Sequence, residues 1–104
     1  MAGKGQRIGY IRVSSYDQNP DRQLDGVEVD RKYTDTASGK DTERPQLKEL
    51  LDYVRDGDTI VVHSMDRLAR NVDDLRRIVH HETKRGVNIQ FVKENLLLTG
   101  SLPR

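Results

Sequence analysis

The sequence predicts an α/β domain, a mainly parallel β-sheet sandwiched by helices on both faces, and three observations carry that expectation. Short apolar runs alternate with amphipathic stretches at helical spacing, the connections between them are short, and cap or turn residues stand at most boundaries. The first run is Ile8, Tyr10, Ile11 and Val13, followed by Ser14 and Ser15 and broken by Asp17-Gln18-Asn19-Pro20. A weaker pattern then predicts a short helix through Gln23 and Leu24 and a strand from Val29 to Tyr33. Leu47, Leu50, Leu51 and Val54 follow i, i+3, i+4, i+7 spacing, with Pro45 suited to the first turn and Gly57 to the stop. Burying each of these four contributes ~1.5–3 kcal/mol before entropy is counted.

Thr59-Ile60-Val61-Val62-His63 is a continuous apolar run behind Asp56-Gly57-Asp58, the mark of a strand covered on both faces. Val72, Leu75, Ile78 and Val79 recur at helical spacing. Asn71 is placed as N-cap, Asp73 and Asp74 lie in the first turn, and Lys84 and Arg85 precede Gly86 at the end. Residues 87–92 alternate apolar and polar, as a strand does. Leu96-Leu97-Leu98 reads as the approach to an element that lies beyond the chain.

At 104 residues the chain is one domain, with 34% charged and 34% hydrophobic residues. No stretch approaches the ~20 apolar residues of a membrane span, and the polar residues 1–6 lack the apolar core of a signal peptide. The absence of cysteine excludes disulfides and thiolate metal sites. Together these point to the cytoplasm and to no membrane partner. The net charge of +1 is uneven. Residues 1–58 hold 10 Lys and Arg against 12 Asp and Glu, giving −2, and residues 59–104 hold 8 against 5, giving +3. A protein that grips duplex DNA through many phosphates usually carries a stronger basic surplus. Either nucleic acid is not the partner, or the main grip lies elsewhere.

Ligands and chemistry in open α/β sheets gather past the carboxyl ends of the strands. Arg12 and Ser14 are two apart on the first strand, so they share a face and set a cation beside a hydroxyl. The competing reading makes Ser14 and Ser15 simple helix caps. Met65-Asp66-Arg67-Leu68-Ala69-Arg70 follows another strand, and Arg67 and Arg70 share a face in a helix or turn. Guanidinium groups there suit a phosphate clamp; the bland alternative is a solvated face paired with Asp66, Asp73 and Asp74. The loop of residues 36–44 brings Ser38, Gly39 and Arg44 to the same edge. A Ser-His-acid triad has only His63 near enough. His80 and His81 are adjacent, which one helix face cannot present to a metal, and no glycine-rich phosphate loop follows the first strand. Asp17, Asp35 and Asp66 are more simply arginine partners or caps than a paired-carboxylate site.

Tyr10-Ile11-Arg12-Val13-Ser14, then Gln18 and Gln23, Ala37-Ser38-Gly39 with Arg44, and Asp66-Arg67-Leu68-Ala69-Arg70 resemble the catalytic domain of serine site-specific recombinases. Over residues 7–100 the run is most similar to the resolvases of replicative transposons. The resemblance implies that Ser14 is the nucleophile attacking a DNA phosphodiester and that Arg12, Arg67 and Arg70 surround the scissile phosphate. Asp66 and Arg44 match further active-site positions, and Tyr10, Gln18, Gln23 and Ser38 supporting ones. It implies a 5′-phosphoserine intermediate formed without metal or nucleotide cofactor. Strands would be exchanged in a tetramer of this chain built from dimers. The family continues into a dimerisation helix and a helix-turn-helix domain, so residues 1–104 read as a catalytic-domain fragment, and the near-neutral charge fits that reading. The rival is a non-catalytic, receiver-like regulatory module. That class needs acidic residues clustered after the first strand; serines stand there instead, and only Lys93 favours it.

Overall fold

The computed structural model describes residues 5–14, 24, 26–37, 44–69 and 71–99. Among them the chain forms β1 (Arg7–Ser14), β2 (Arg31–Ala37), α1 (Pro45–Tyr53), β3 (Thr59–Val62), α2 (Met65–Leu68), α3 (Val72–Lys84), β4 (Asn88–Phe91) and β5 (Leu96–Leu98). The strands make one sheet in the order β2-β1-β3-β4-β5, parallel except for the antiparallel pair β4 and β5. The expectation of a mainly parallel α/β sheet is met; α1, α2 and α3 pack on one of its faces, and among the described residues the other is covered by Leu24, Val27, Val29 and Val92. No helix among the described residues is long and apolar enough to cross a membrane.

Period-two alternation divides the core. Ile8 and Tyr10 of β1, Ile60 and Val62 of β3, and Ile89 and Phe91 of β4 face one way, against Leu47 and Leu50 of α1, Leu68 of α2 and Ile78 of α3. Ile11, Val13 and Val61 face the other way, against Leu24, Val27, Val29 and Val92. Gly9 permits the second layer to close, because a Cβ there would meet Leu24 Cδ1 at 2.7 Å. Apart from Leu24, the helix expected through Gln23 lies outside the described residues.

Three expectations change. The strand expected at Val29–Tyr33 runs instead over Arg31–Ala37; Val27 and Val29 belong to the connection that covers the second face. The helix expected to stop at Gly57 ends at Tyr53, and Gly57 takes φ +96° in the turn before β3. Leu96–Leu98 is not an approach to a missing element but β5. The chain folds back through a turn in which Asn95 adopts φ 53° and the Asn95 N–H donates to the Val92 carbonyl.

Candidate active site at the carboxyl edge of the sheet

The register of β1 creates the site. Arg7 to Tyr10 align with Thr59 to Val62 of β3, whereas alignment with β2 continues to Ser14 beside Ala37. Residues 11–14 therefore overhang the end of β3, and α2 begins in that notch after only His63 and Ser64. Arg67, on α2, donates from Nη1 to the Arg12 carbonyl at 3.1 Å, on the stretch that has outrun β3. In return Arg12 Nη1 lies 3.4 Å from the Asp66 carbonyl. Two guanidinium groups are thus held across the notch beside the last residue of β1.

Asp35, opposite Arg12 in the register, is buried on the α1 side of the sheet. Its carboxylate accepts the N–H groups of Gln46 and Leu47, both at 2.9 Å, which caps the otherwise unsatisfied first turn of α1. It also accepts the Tyr10 hydroxyl at 2.8 Å. Burial, then the hydrogen bond and charge of Asp35, push the Tyr10 phenol well above its ordinary range. The buried Tyr10 hydroxyl is thus held as a donor to Asp35. The cap reading of Asp35 holds, and the capped helix start is what delivers Arg44.

Arg44 immediately precedes α1. Its Nη1 donates to the Leu68 carbonyl, the last of α2, at 2.8 Å, and its Nη2 pairs with Asp74 Oδ2 of α3 at 2.8 Å. One side chain joins three helices. Asp74 is held in turn by Asn71, whose Oδ1 accepts the Asp74 N–H at 2.8 Å, so the expected N-cap is present.

Asp66 is exposed on α2, and its carboxyl is held below the usual aspartate range. The first cause is the Ser64 hydroxyl, which donates to Asp66 Oδ1 at 2.6 Å; Arg67 and Lys93 add their charge. Lys93 follows β4 on this same edge, where its N–H donates to the His63 carbonyl.

The structure thus brings Tyr10, Arg12, Arg44, Asp66 and Arg67 to one edge, together with the end of β1 that carries Ser14. The Ser14 side chain, Gln18, Gln23, Ser38 and Arg70 lie outside the described residues, and so does the shared face expected of Arg67 and Arg70. His80 and His81 are on α3, as expected, and both are exposed. Sequence reasoning missed Asp74 as the anchor of Arg44 and Ser64 as the partner of Asp66. The only available signal was their position beside helix starts.

A family model described as the resolvase N-terminal domain matches residues 7–102. The Tn21 resolvase of Escherichia coli is 70% identical over 96 residues, which cover 92% of this chain and 52% of that protein. The Tn501 resolvase of Pseudomonas aeruginosa is 66% identical over 97 residues, 93% of this chain and 52% of its own. The DNA-invertase hin of Salmonella typhimurium is 40% identical over 100 residues, with 93% and 53% covered. The chain spans about half the length of these curated relatives. Among solved structures, the C-terminal catalytic domain of ISC1926 TnpA, an IS607-like serine recombinase, superposes with a TM-score of 0.65 at 28% identity. That likeness covers 83% of this chain and 69% of that one. A resolvase family site-specific recombinase from Streptococcus pneumoniae shares the fold, with a TM-score of 0.62 at 23% identity over 90% of this chain and 76% of that one.

Proposed function

Because the chain belongs to the resolvase family, matching its N-terminal domain over nearly all its length, we propose that it is the catalytic unit of a DNA recombinase that cuts and rejoins strands through Ser14. The Ser14 oxygen attacks the phosphorus and forms a 5′-phosphoserine bond. The bond to the 3′-oxygen breaks, the serine loses its proton and the 3′-oxygen gains one. Rejoining is the reverse attack by a 3′-hydroxyl. The phosphoester bond is conserved in the serine linkage, so no nucleotide is consumed.

The observation that carries this reading is the notch where Arg12 and Arg67 are cross-tied beside the end of β1. Guanidinium groups fixed before substrate arrives stabilise charge developing on phosphoryl oxygens without reorganisation. Arg44 and Arg70 complete the proposed clamp. Asp66 keeps its charge and orients the cations around it. Gln18, Gln23, Ser38 and Tyr10 support the loops, with Tyr10 acting through Asp35.

DNA is the proposed partner and the cytoplasm the proposed compartment. Site recognition and pairing of protomers into dimers and tetramers are assigned to a dimerisation helix and a helix-turn-helix domain joined to this unit. The +1 charge suits that division, since a domain so nearly neutral releases few counterions from DNA by itself.

Trapping the covalent intermediate tests the proposal. Supercoiled DNA carrying a resolution site is incubated with the protein joined to its recognition domain, and the reaction is stopped with denaturant. Protein linked to DNA 5′ ends is the expected product. Ser14→Ala should remove it completely with site binding retained, while Ser15→Ala retains most of it. A covalent adduct that persists in Ser14→Ala sinks the assignment.

A further inference from the structure

We propose that Ser64, oriented by His63, is a positioning residue that fixes the Asp66 carboxylate at the mouth of the site. The proposal rests on the recombinase reading for its catalytic consequence, but the geometry stands by itself. Ser64 occupies the N-cap position of α2, where a serine hydroxyl ordinarily accepts a main-chain N–H of the first turn. Here the side chain makes no such cap. The Arg67 N–H is met by the Ser64 carbonyl instead, at 3.0 Å. The hydroxyl is thereby released from capping, and it donates to Asp66 Oδ1 at 2.6 Å. Ser64 is only 2% exposed, so water competes little for that bond.

His63 Nδ1 lies 3.2 Å from the same hydroxyl oxygen. Serine has one O–H, and here it points at a carboxylate, which only accepts while ionised. His63 Nδ1 must then donate to the oxygen lone pair, so the proton sits on Nδ1. That donor sets the hydroxyl rotor and polarises it toward Asp66. The chain of bonds runs from His63 through Ser64 to Asp66. The same aspartate offers its carbonyl to Arg12, and the next residue, Arg67, reaches back to β1. Fixing the Asp66 side chain therefore fixes the short helix whose two faces hold the proposed clamp.

The charged groups facing Asp66 are Arg67 on its own helix, Arg12 from β1 and Lys93 from the β4–β5 turn, with His63 reaching it through Ser64. All the permanent charges among them are cations that survive a Ser64 substitution. Any change on removing the hydroxyl is then assignable to the hydroxyl.

Two measurements on the same variants provide the test. Carbon NMR of the side-chain carboxyl follows the protonation of Asp66 directly and needs no DNA. Ser64→Ala should move its titration midpoint upward, Ser64→Thr should restore it, and the neutral His63 ring should show the Nδ1–H nitrogen pattern. Covalent-complex formation is then followed across pH. Ser64→Ala should slow it by roughly tenfold, the worth of one hydrogen bond to a charged group, and shift its acidic limb in the same direction as the NMR midpoint. An unmoved Asp66 midpoint in Ser64→Ala overturns the proposal, as does a threonine variant that fails to restore it. A moved midpoint with an unchanged rate profile removes the catalytic role. Absence of covalent complexes in the unsubstituted protein would instead strike the recombinase reading, with the NMR result untouched.

Discussion

Helix α3 carries a buried carboxylate near each end, and the two make an instructive pair. Asp74, 3% exposed, accepts Arg44 and Arg77; Glu82, 1% exposed, accepts Arg85 and His81. Both border the cleft of about 610 Å³ between α1 and α3, and both tie α3 to α1. At the far end Arg85 also donates to the Leu51 and Val54 carbonyls, satisfying the last turn of α1. At the near end Arg44 reaches the last carbonyl of α2, beside the notch. The chemistry of the two clusters is the same, but only one holds a side chain that belongs to the proposed site. Burial and ion pairing alone do not distinguish the two ends; the carbonyl that the shared arginine reaches does.

Substituting the two acids one at a time breaks the symmetry. Asp74→Ala should have the largest effect, slowing covalent-complex formation by about 10²-fold because Arg44 loses one of two anchors and the clamp is misplaced. It should also destabilise the fold by about 2–4 kcal/mol, since Arg44 at 13% exposure cannot fully rehydrate. Glu82→Ala should cost only about 1–2 kcal/mol, because Arg85 at 36% exposure recovers water and keeps its carbonyl partners. Cleavage per folded molecule should be unchanged. Urea unfolding beside single-turnover cleavage checks both, and equal rate losses in the two variants would mean that α3 acts as one rigid unit with no special end.

The smallest effect is on the pH dependence of stability. The Asp66 carboxyl is held low by Ser64, so its contribution to stability is fully present above the ordinary aspartate range. It is lost only as pH falls through the lower folded value. Ser64→Ala should erase that small slope by lowering stability slightly near neutral pH while leaving it unchanged below the folded value, which urea midpoints between pH 2.5 and pH 7, roughly one unit apart, would show.

What was legible in the sequence was local. Asn71, Asp73 and Asp74 opening a periodic run fix α3, and the runs at Ile8 and Ile60 fix two buried strands, because caps and alternation act within a few residues. β2 was displaced because it has no apolar alternation to read. Arg31, Lys32, Thr34 and Thr36 are exposed, and the two inward positions are Tyr33 and Asp35. Its register comes from β1, which no local window contains. β5 depends on the Asn95 turn and on β4 in the same way; two of its three leucines are exposed. In the site, Arg12, Arg44 and Arg67 stood out by residue type and placement, and Tyr10 and Asp66 through the family resemblance. Asp74 did not, because Arg44 lies thirty residues away in sequence, and Ser64 did not, because a serine before a helix reads first as a cap.

The order β2-β1-β3 also has a kinetic consequence. β1 leaves the ribosome first yet lies inside the sheet, and its second neighbour follows about fifty residues later, roughly 3–10 s at ordinary rates of synthesis. Until Val62 has emerged, one edge of β1 is open and the apolar face of Ile8 and Tyr10 lacks most of its cover. Closing that long loop before the contacts that reward it makes parallel pairing slow. The notch does not exist before this step, because it is the difference between two registers. A nascent chain therefore carries the end of β1 for seconds without the Arg12–Arg67 cross-tie, which forms only when the middle of the sheet has closed.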